Sequence, residues 1–251
     1  MPRSRGYSPF SSSPEQDALL ERVVDAARKG GQSAVGVFDL DGCLFDTRPR
    51  QIQIFREYAN RSGRLELYRV AAEHFKDWDL ANTLRNAGFD DAYVTDVAPD
   101  VAAYWKTRFF RSDTVVHDHA MPGAVALVRR CHAAGMRIAY LTGRDETMRA
   151  GTSASLKAFG FPLDDETSRL FVKPDFDTDD TLFKAQAMTE IAGMGTPTLF
   201  LDNEPSNVNT FLERFPAALV VFVETDHSPK PVEPAPSIPW LRSFFPTGVD
   251  L

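Results

Sequence analysis

The sequence predicts a doubly wound α/β protein, a parallel sheet covered by helices, with a second, all-helical segment inserted near its start. Three observations carry this prediction. Short apolar runs alternate with helical patterns along most of the chain. A stretch of about seventy residues after the first run holds no convincing strand and is far too long for a plain βα loop. An acid-rich turn closes that first run, where ligands bind in a parallel sheet.

Taken in order, residues 1–14 are rich in Ser, Pro and Arg and predict a flexible tail. Residues 15–29 place Leu19, Leu20, Val23, Val24 and Ala27 at helical spacing, and Gly30-Gly31 ends the helix. The first strand is 34–40, AVGVFDL. Similar runs follow at 136–141, 169–173, 197–201 and 217–223. All are rich in Val, Ile, Leu and Phe and bounded by Gly, Pro or Asp, as expected of strands covered on both faces. Helical patterns separate them at 122–134, opening with Pro122, and at 147–159, 181–192 and 205–214. This alternation reads as βαβ units with right-handed crossovers. Residues 48–118 instead show helical patterns near 50–61, 65–86 and 98–110, and predict a helical cap over one edge of a core made of 15–47 and 119–225. Residues 226–251 hold six prolines and predict a wrapping or disordered tail.

Composition narrows the function classes. The chain has 251 residues, 43% hydrophobic and 25% charged, which is ordinary for a soluble globular protein. Its net charge of −7 argues against a broad nucleic-acid-binding surface. An anionic substrate would need a local cationic site. No run is long enough to span a membrane. The two cysteines, Cys43 and Cys131, match no zinc spacing and build no disulfide framework. The basic N-terminus lacks the apolar stretch of a secretory signal, so a cytoplasmic protein is expected.

Four polar groups stand at the ends of different predicted strands. The densest is Phe38-Asp39-Leu40-Asp41-Gly42-Cys43-Leu44-Phe45-Asp46. Asp39 ends the apolar run, Asp41 follows two residues on, and Gly42 permits the chain to double back. Carboxylates this close repel unless a cation neutralises them, and a hard divalent ion such as Mg²⁺ suits oxygen ligands. The second group is Leu141-Thr142-Gly143-Arg144, whose hydroxyl and backbone N–H groups can hold a phosphate oxygen. The third is a lysine, either Lys184 at the start of a helix or Lys173 at the end of a strand. The fourth is Leu201-Asp202-Asn203-Glu204, where Asp202 can join Asp39 at a metal or cap the next helix.

FDLDGCLFDT, LTGR, Lys184 and FLDNEPSN, in this order, resemble the haloacid dehalogenase-like hydrolase superfamily. The likeness covers about residues 34–224 and leaves the cap and both tails unassigned. It implies a Rossmann-like core, with Asp39 as a nucleophile that forms an aspartyl-phosphate. It implies that Asp41 protonates the leaving oxygen, activates water and binds Mg²⁺ through its backbone carbonyl. Thr142, Gly143 and Lys184 would hold phosphoryl oxygens, and Asp202 would ligate the metal. The family often carries a second acid in its fourth motif. Here Asn203, Ser206 and Asn207 stand in those places, and Glu204 could substitute. Lys184 is favoured over Lys173, because Phe183-Lys184 opening a helix is similar to the family's third motif. Arg144 is a further candidate. The implied activity is Mg²⁺-dependent hydrolysis of a small phosphorylated metabolite. The alternatives are a phosphomutase, a polynucleotide or protein phosphatase, or a phosphate-binding regulator without turnover.

Other features carry less. His117-Asp118-His119 could clip a metal but has no further His or Cys nearby in sequence. DFDTDD at 175–180 lacks the glycine and the final glutamate of a calcium loop. Trp78, Tyr104, Trp105, Phe109 and Phe110 are expected to form the cap's small core, with room for one to line a pocket. Arg48 and Arg50 follow the Asp39 loop and could meet a substrate anion, with surface solvation as the default. No P-loop and no G-x-G-x-x-G supports ATP or NAD use.

Overall fold

The computed structural model describes residues 13–228 and 230–247. Most of the tail expected over 1–14 lies outside them. Ser13 already caps α1 (Pro14–Gly30), its hydroxyl accepting from the Gln16 N–H at 3.4 Å, and Pro14 occupies the first turn. The chain then forms β1 (Ala34–Phe38) and β2 (Phe45–Asp46) and enters the helical segment with α2 (Arg48–Ser62), α3 (Leu80–Asn86) and α4 (Asp91–Phe109). It returns through β3 (His119–Ala120), α5 (Ala124–Ala133), β4 (Arg137–Asp145), α6 (Arg149–Phe159) and β5 (Ser168–Lys173). It finishes with α7 (Asp180–Met194), β6 (Thr196–Asp202), α8 (Pro205–Arg214), β7 (Leu219–Val223) and β8 (Trp240–Leu241).

The main sheet is six-stranded and parallel, in the order β5-β4-β1-β6-β7-β8. Side chains alternate between its faces. Phe38, Ile138, Tyr140, Leu199 and Val221 pack against α1 and α5, while Val37, Ala139, Phe200 and Phe222 pack against α7 and α8. Burial on both faces explains why these strands read as unbroken apolar runs. The strand order reverses on either side of β1, so the end of β1 lies at the sheet's switch point, beside the ends of β4 and β6.

Three elements differ from the sequence reading. The helix expected over 65–86 breaks into 3₁₀ turns at Leu65–Arg69 and Ala72–His74, and α3 starts afresh where the Asp79 side chain caps Ala81 and Asn82. The helix expected from 98 starts at Asp91, capped by Asp90, and carries Pro99 inside it. Proline there removes a backbone hydrogen bond, and burial of Val94, Val97 and Val101 on one face offsets that loss. The Pro-rich stretch after 226 supplies β8, which pairs with β7 at the sheet's edge, and buries Ile238, Leu241 and Phe244.

Residues 48–117 contain helices and 3₁₀ turns only. They build a separate apolar cluster around Phe55, Tyr58, Leu67, Leu84 and Val97. The two ends of this excursion pair as a short antiparallel ribbon, Phe45 with Ala120 and Asp46 with His119. Among the described residues no helix is long and apolar enough to cross a membrane.

Candidate active site

The floor is built where β1, β4 and β6 end. Asp39 directly follows β1, and its backbone N–H donates to the Leu201 carbonyl of β6 at 2.9 Å. The chain then curls tightly, with Phe45 N–H on the Leu40 carbonyl at 2.8 Å and Gly42 N–H on the Phe45 carbonyl at 2.9 Å. Gly42 has φ +78°, and a Cβ there would lie 2.3 Å from the Asn203 side-chain nitrogen. Only glycine meets both demands.

Lys184 enters from the first turns of α7. Its Nζ lies 2.6 Å from Asp39 Oδ1 and 2.7 Å from Asp202 Oδ2. All three side chains are buried. Asp202 is oriented by Asn207 Nδ2, at 3.0 and 3.2 Å from its two oxygens, and by the Glu204 N–H at 2.8 Å. Burial first, and then the neighbouring Asp202, push the Asp39 carboxyl up to about 8 against the pull of Lys184. Burial works against the Lys184 ammonium, but the two carboxylates outweigh it and hold its pKa above the usual lysine range. Two acids facing one ammonium leave this floor short of positive charge.

β4 keeps its strand path through Thr142–Arg144, but its pairing with β5 slips between Leu141 and Asp145. That irregularity brings Arg144 to Asp41. Arg144 Nε lies 3.0 and 3.2 Å from the two Asp41 oxygens, and its Nη2 lies 2.5 Å from Oδ1. The same Nη2 reaches Asp118 at 2.7 Å. Arg50, from α2, completes the group at 3.0 Å from Asp41 and 2.9 Å from Asp118. Its guanidinium also stacks on Phe109, 3.8 Å from the ring centre, and donates to the Phe109 carbonyl at 3.0 Å. Burial alone would raise the Asp41 carboxyl, but Arg144 and Arg50 overcome it and bring it down to about 2. Two guanidiniums thus alternate with two carboxylates.

Asp39, Asp41, Thr142, Gly143, Arg144, Lys184, Asp202, Asn203, Glu204 and Asn207 all line one cleft of about 280 Å³. A Cβ at Gly143 would lie 2.6 Å from an Asp180 oxygen and would push that exposed side chain aside. Thr142 Oγ1 accepts from the Arg144 N–H at 3.2 Å. Lys173 is not brought to the cleft: it pairs with Asp180 at 2.7 Å and donates to the Phe176 and Thr178 carbonyls, holding the loop ahead of α7. Glu204 faces the C-terminal segment, accepting from Ser228 N–H at 3.0 Å and Ser228 Oγ at 2.7 Å. Asn203 donates to the Asp226 carbonyl.

Arg50 and Asp118 correct the sequence reading. Arg50 is fully buried rather than solvated, because its charge is matched by two carboxylates. Asp118 sits at the centre of the charge network, while its neighbour His119 is exposed. The signal present in the sequence was an acid and an arginine close to the two ends of the inserted segment. Replacing Asp118 by Ala leaves two buried guanidiniums sharing one carboxylate. We expect a loss of about 3–5 kcal/mol in urea unfolding. A loss below about 1 kcal/mol would show that the network does not bear on stability.

A family model for haloacid dehalogenase-like hydrolases matches residues 35–192. The chain belongs to this family. Two solved structures share the fold of this chain. Protein Tyrosine Kinase A of Mycobacterium tuberculosis is 17% identical, with a TM-score of 0.50 over 84% of this chain and 93% of that one. A Clostridium difficile protein described provisionally as a phosphatase is 11% identical, with a TM-score of 0.51 over 80% and 89%. No curated protein matches the sequence. Among the described residues of this haloacid dehalogenase-like hydrolase, no three His, Cys, Asp or Glu side chains gather as a metal-binding group. The Asp41 carboxylate is engaged by Arg50 and Arg144.

Proposed function

We propose that this haloacid dehalogenase-like hydrolase is a Mg²⁺-dependent phosphatase that cleaves a small phosphorylated metabolite through an aspartyl-phosphate on Asp39. One observation carries the reading. The Lys184 ammonium spans Asp39 and Asp202 on the floor of a cleft, with Thr142 and Gly143 on the same lining. Phosphoryl transfer needs a fixed nucleophile beside positive charge, and Lys184 supplies part of that charge here.

The donor set fits a hard divalent cation: two carboxylates face a single ammonium and would hold the ion with the Asp41 backbone carbonyl. The bound ion would supply neutralising charge to the phosphoryl oxygens and to Asp39, whose raised pKa it would bring back down towards the attacking carboxylate. In the first step an Asp39 oxygen attacks phosphorus and the ester oxygen leaves, taking a proton from the Asp41 carboxyl. In the second step water attacks the same phosphorus and Asp41 takes its proton, releasing Asp39 and phosphate. Arg50 and Arg144 favour ionised Asp41, the form this second step requires, and so oppose the proton donation of the first. Lys184 keeps Asp39 oriented and meets a phosphoryl oxygen. Asn207 fixes the orientation of Asp202 without adding charge, where the family often carries a second acid. The segment 48–118 would cap the cleft, and its α4 end reaches the floor through Arg50. We place the enzyme in the cytoplasm, in keeping with two buried, unpaired cysteines.

The test is phosphate release from an aryl phosphate with Mg²⁺, with and without chelator. Turnover should vanish with chelator, and metal-independent turnover would remove the ion from the mechanism. Beryllium fluoride with Mg²⁺, an acyl-phosphate mimic, should stabilise the fold by about 2.7 kcal/mol at a hundredfold excess over Kd and so raise the melting temperature. Stabilisation without turnover on any phosphate ester would favour the non-catalytic, phosphate-binding reading.

A further inference from the structure

The cleft has a polar floor and an aromatic wall. Trp78, Trp105, Phe109 and Phe110 line it together with the acids. Trp105 and Phe109 stack with centroids 4.3 Å apart and planes 18° apart. Trp78 meets Phe109 edge-on at 5.7 Å, and Phe110 meets Phe109 edge-on at 5.1 Å. The cap's main apolar cluster lies elsewhere, around Phe55, Leu67 and Leu84, and Trp105 only packs against its border. These rings are therefore not simply the cap's interior. They are also held in register with the floor, because Arg50 both stacks on Phe109 and pairs with Asp41. A second, independent observation concerns Trp105. Its Nε1–H is buried and has no hydrogen-bond partner among the described residues, although Trp105 borders the cleft. Buried donors are rarely left unpaired, and a ligand group is one way to satisfy such a donor.

We propose that the substrate is a phosphate monoester whose leaving group carries a flat aromatic ring, seated against Trp105 and Phe110 with a ring-borne acceptor facing Trp105 Nε1. This rests on the phosphatase reading above and narrows its substrate class. The physical basis is the ring quadrupole: stacked or edge-to-face rings gain more than their buried area accounts for. A saturated ring of the same size offers the area without that gain.

The experiment compares two esters of primary alcohols with the same carbon count, benzyl phosphate and cyclohexylmethyl phosphate, on the full chain with Mg²⁺. Their non-hydrolysable relatives, benzylphosphonate and cyclohexylmethylphosphonate, are compared by calorimetry. Benzyl should be preferred about tenfold in both kcat/KM and Kd. The preference should fall to near one in Phe110→Leu. Trp105→Phe keeps a ring and serves as a second variant. It should weaken binding of a nucleoside 5′-monophosphate, which bears acceptors, several-fold more than binding of benzylphosphonate. Equal or reversed Kd values for the two phosphonates on the wild-type chain would overturn the proposal. Tighter benzylphosphonate binding without hydrolysis of either ester would sustain the aromatic site while refuting the phosphatase reading, so the two failures are told apart.

Discussion

Asp39→Asn is expected to lose turnover by at least about 10⁴-fold, since it removes the attacking oxygen anion while changing almost nothing else. The amide has the volume of the carboxylate and still offers an oxygen to Lys184, which keeps its ion pair with Asp202 at 2.7 Å. The variant should therefore remain folded, within about 1 kcal/mol of the parent in urea unfolding. Phosphate release and unfolding on the same preparation separate lost chemistry from lost structure. A folded Asp39→Asn protein with more than about a hundredth of the parent activity would end the nucleophile assignment.

The second large effect belongs to Lys184. Lys184→Met fills a similar space and removes the cation that Asp39 and Asp202 share. Removing one partner of a buried ion pair costs about 3–5 kcal/mol. For a chain of this size each kcal/mol lowers the melting temperature by about 2–4 °C. Turnover should fall by a further 10²–10³-fold, the usual effect of deleting one charge-stabilising contact to the transition state. Saturating Mg²⁺ should restore part of the stability, because an ion between the two carboxylates replaces the missing charge, but not the turnover. An undiminished melting temperature without metal would show that the two acids do not need this lysine. Such a result would undo the charge argument on which the metal proposal rests.

The sheet was legible because its strands are buried on both faces and so carry continuous apolar runs, as in Val35–Phe38 and Leu199–Leu201. The floor was legible for a related reason: Asp39, Thr142 and Asp202 each stand where such a run stops, and Lys184 sits 18 residues before Asp202. The rest depended on contacts far apart in the chain. Arg50 and Asp118 lie 68 positions apart, near the two ends of the inserted segment. Neither shows by its local pattern that it will be neutralised, so surface solvation was the reasonable default for Arg50. The break after Leu65 and the start of α4 before Pro99 were hidden because side-chain caps and burial, not local propensity, decided them. β8 was hidden because Trp240-Leu241 is too short, and too crowded by prolines, to read as a strand.

That short strand has a consequence for how the molecule behaves among copies of itself. A sheet ending at β7 would present a bare backbone ladder of apolar residues, a template for edge-to-edge aggregation. Instead Phe222 N–H donates to the Pro239 carbonyl at 2.9 Å and Glu224 N–H to the Leu241 carbonyl at 2.7 Å. Arg242 then closes over Glu224 at 2.7 Å. What remains at the margin is a two-residue strand preceded by a proline, which offers a passing chain almost nothing to extend.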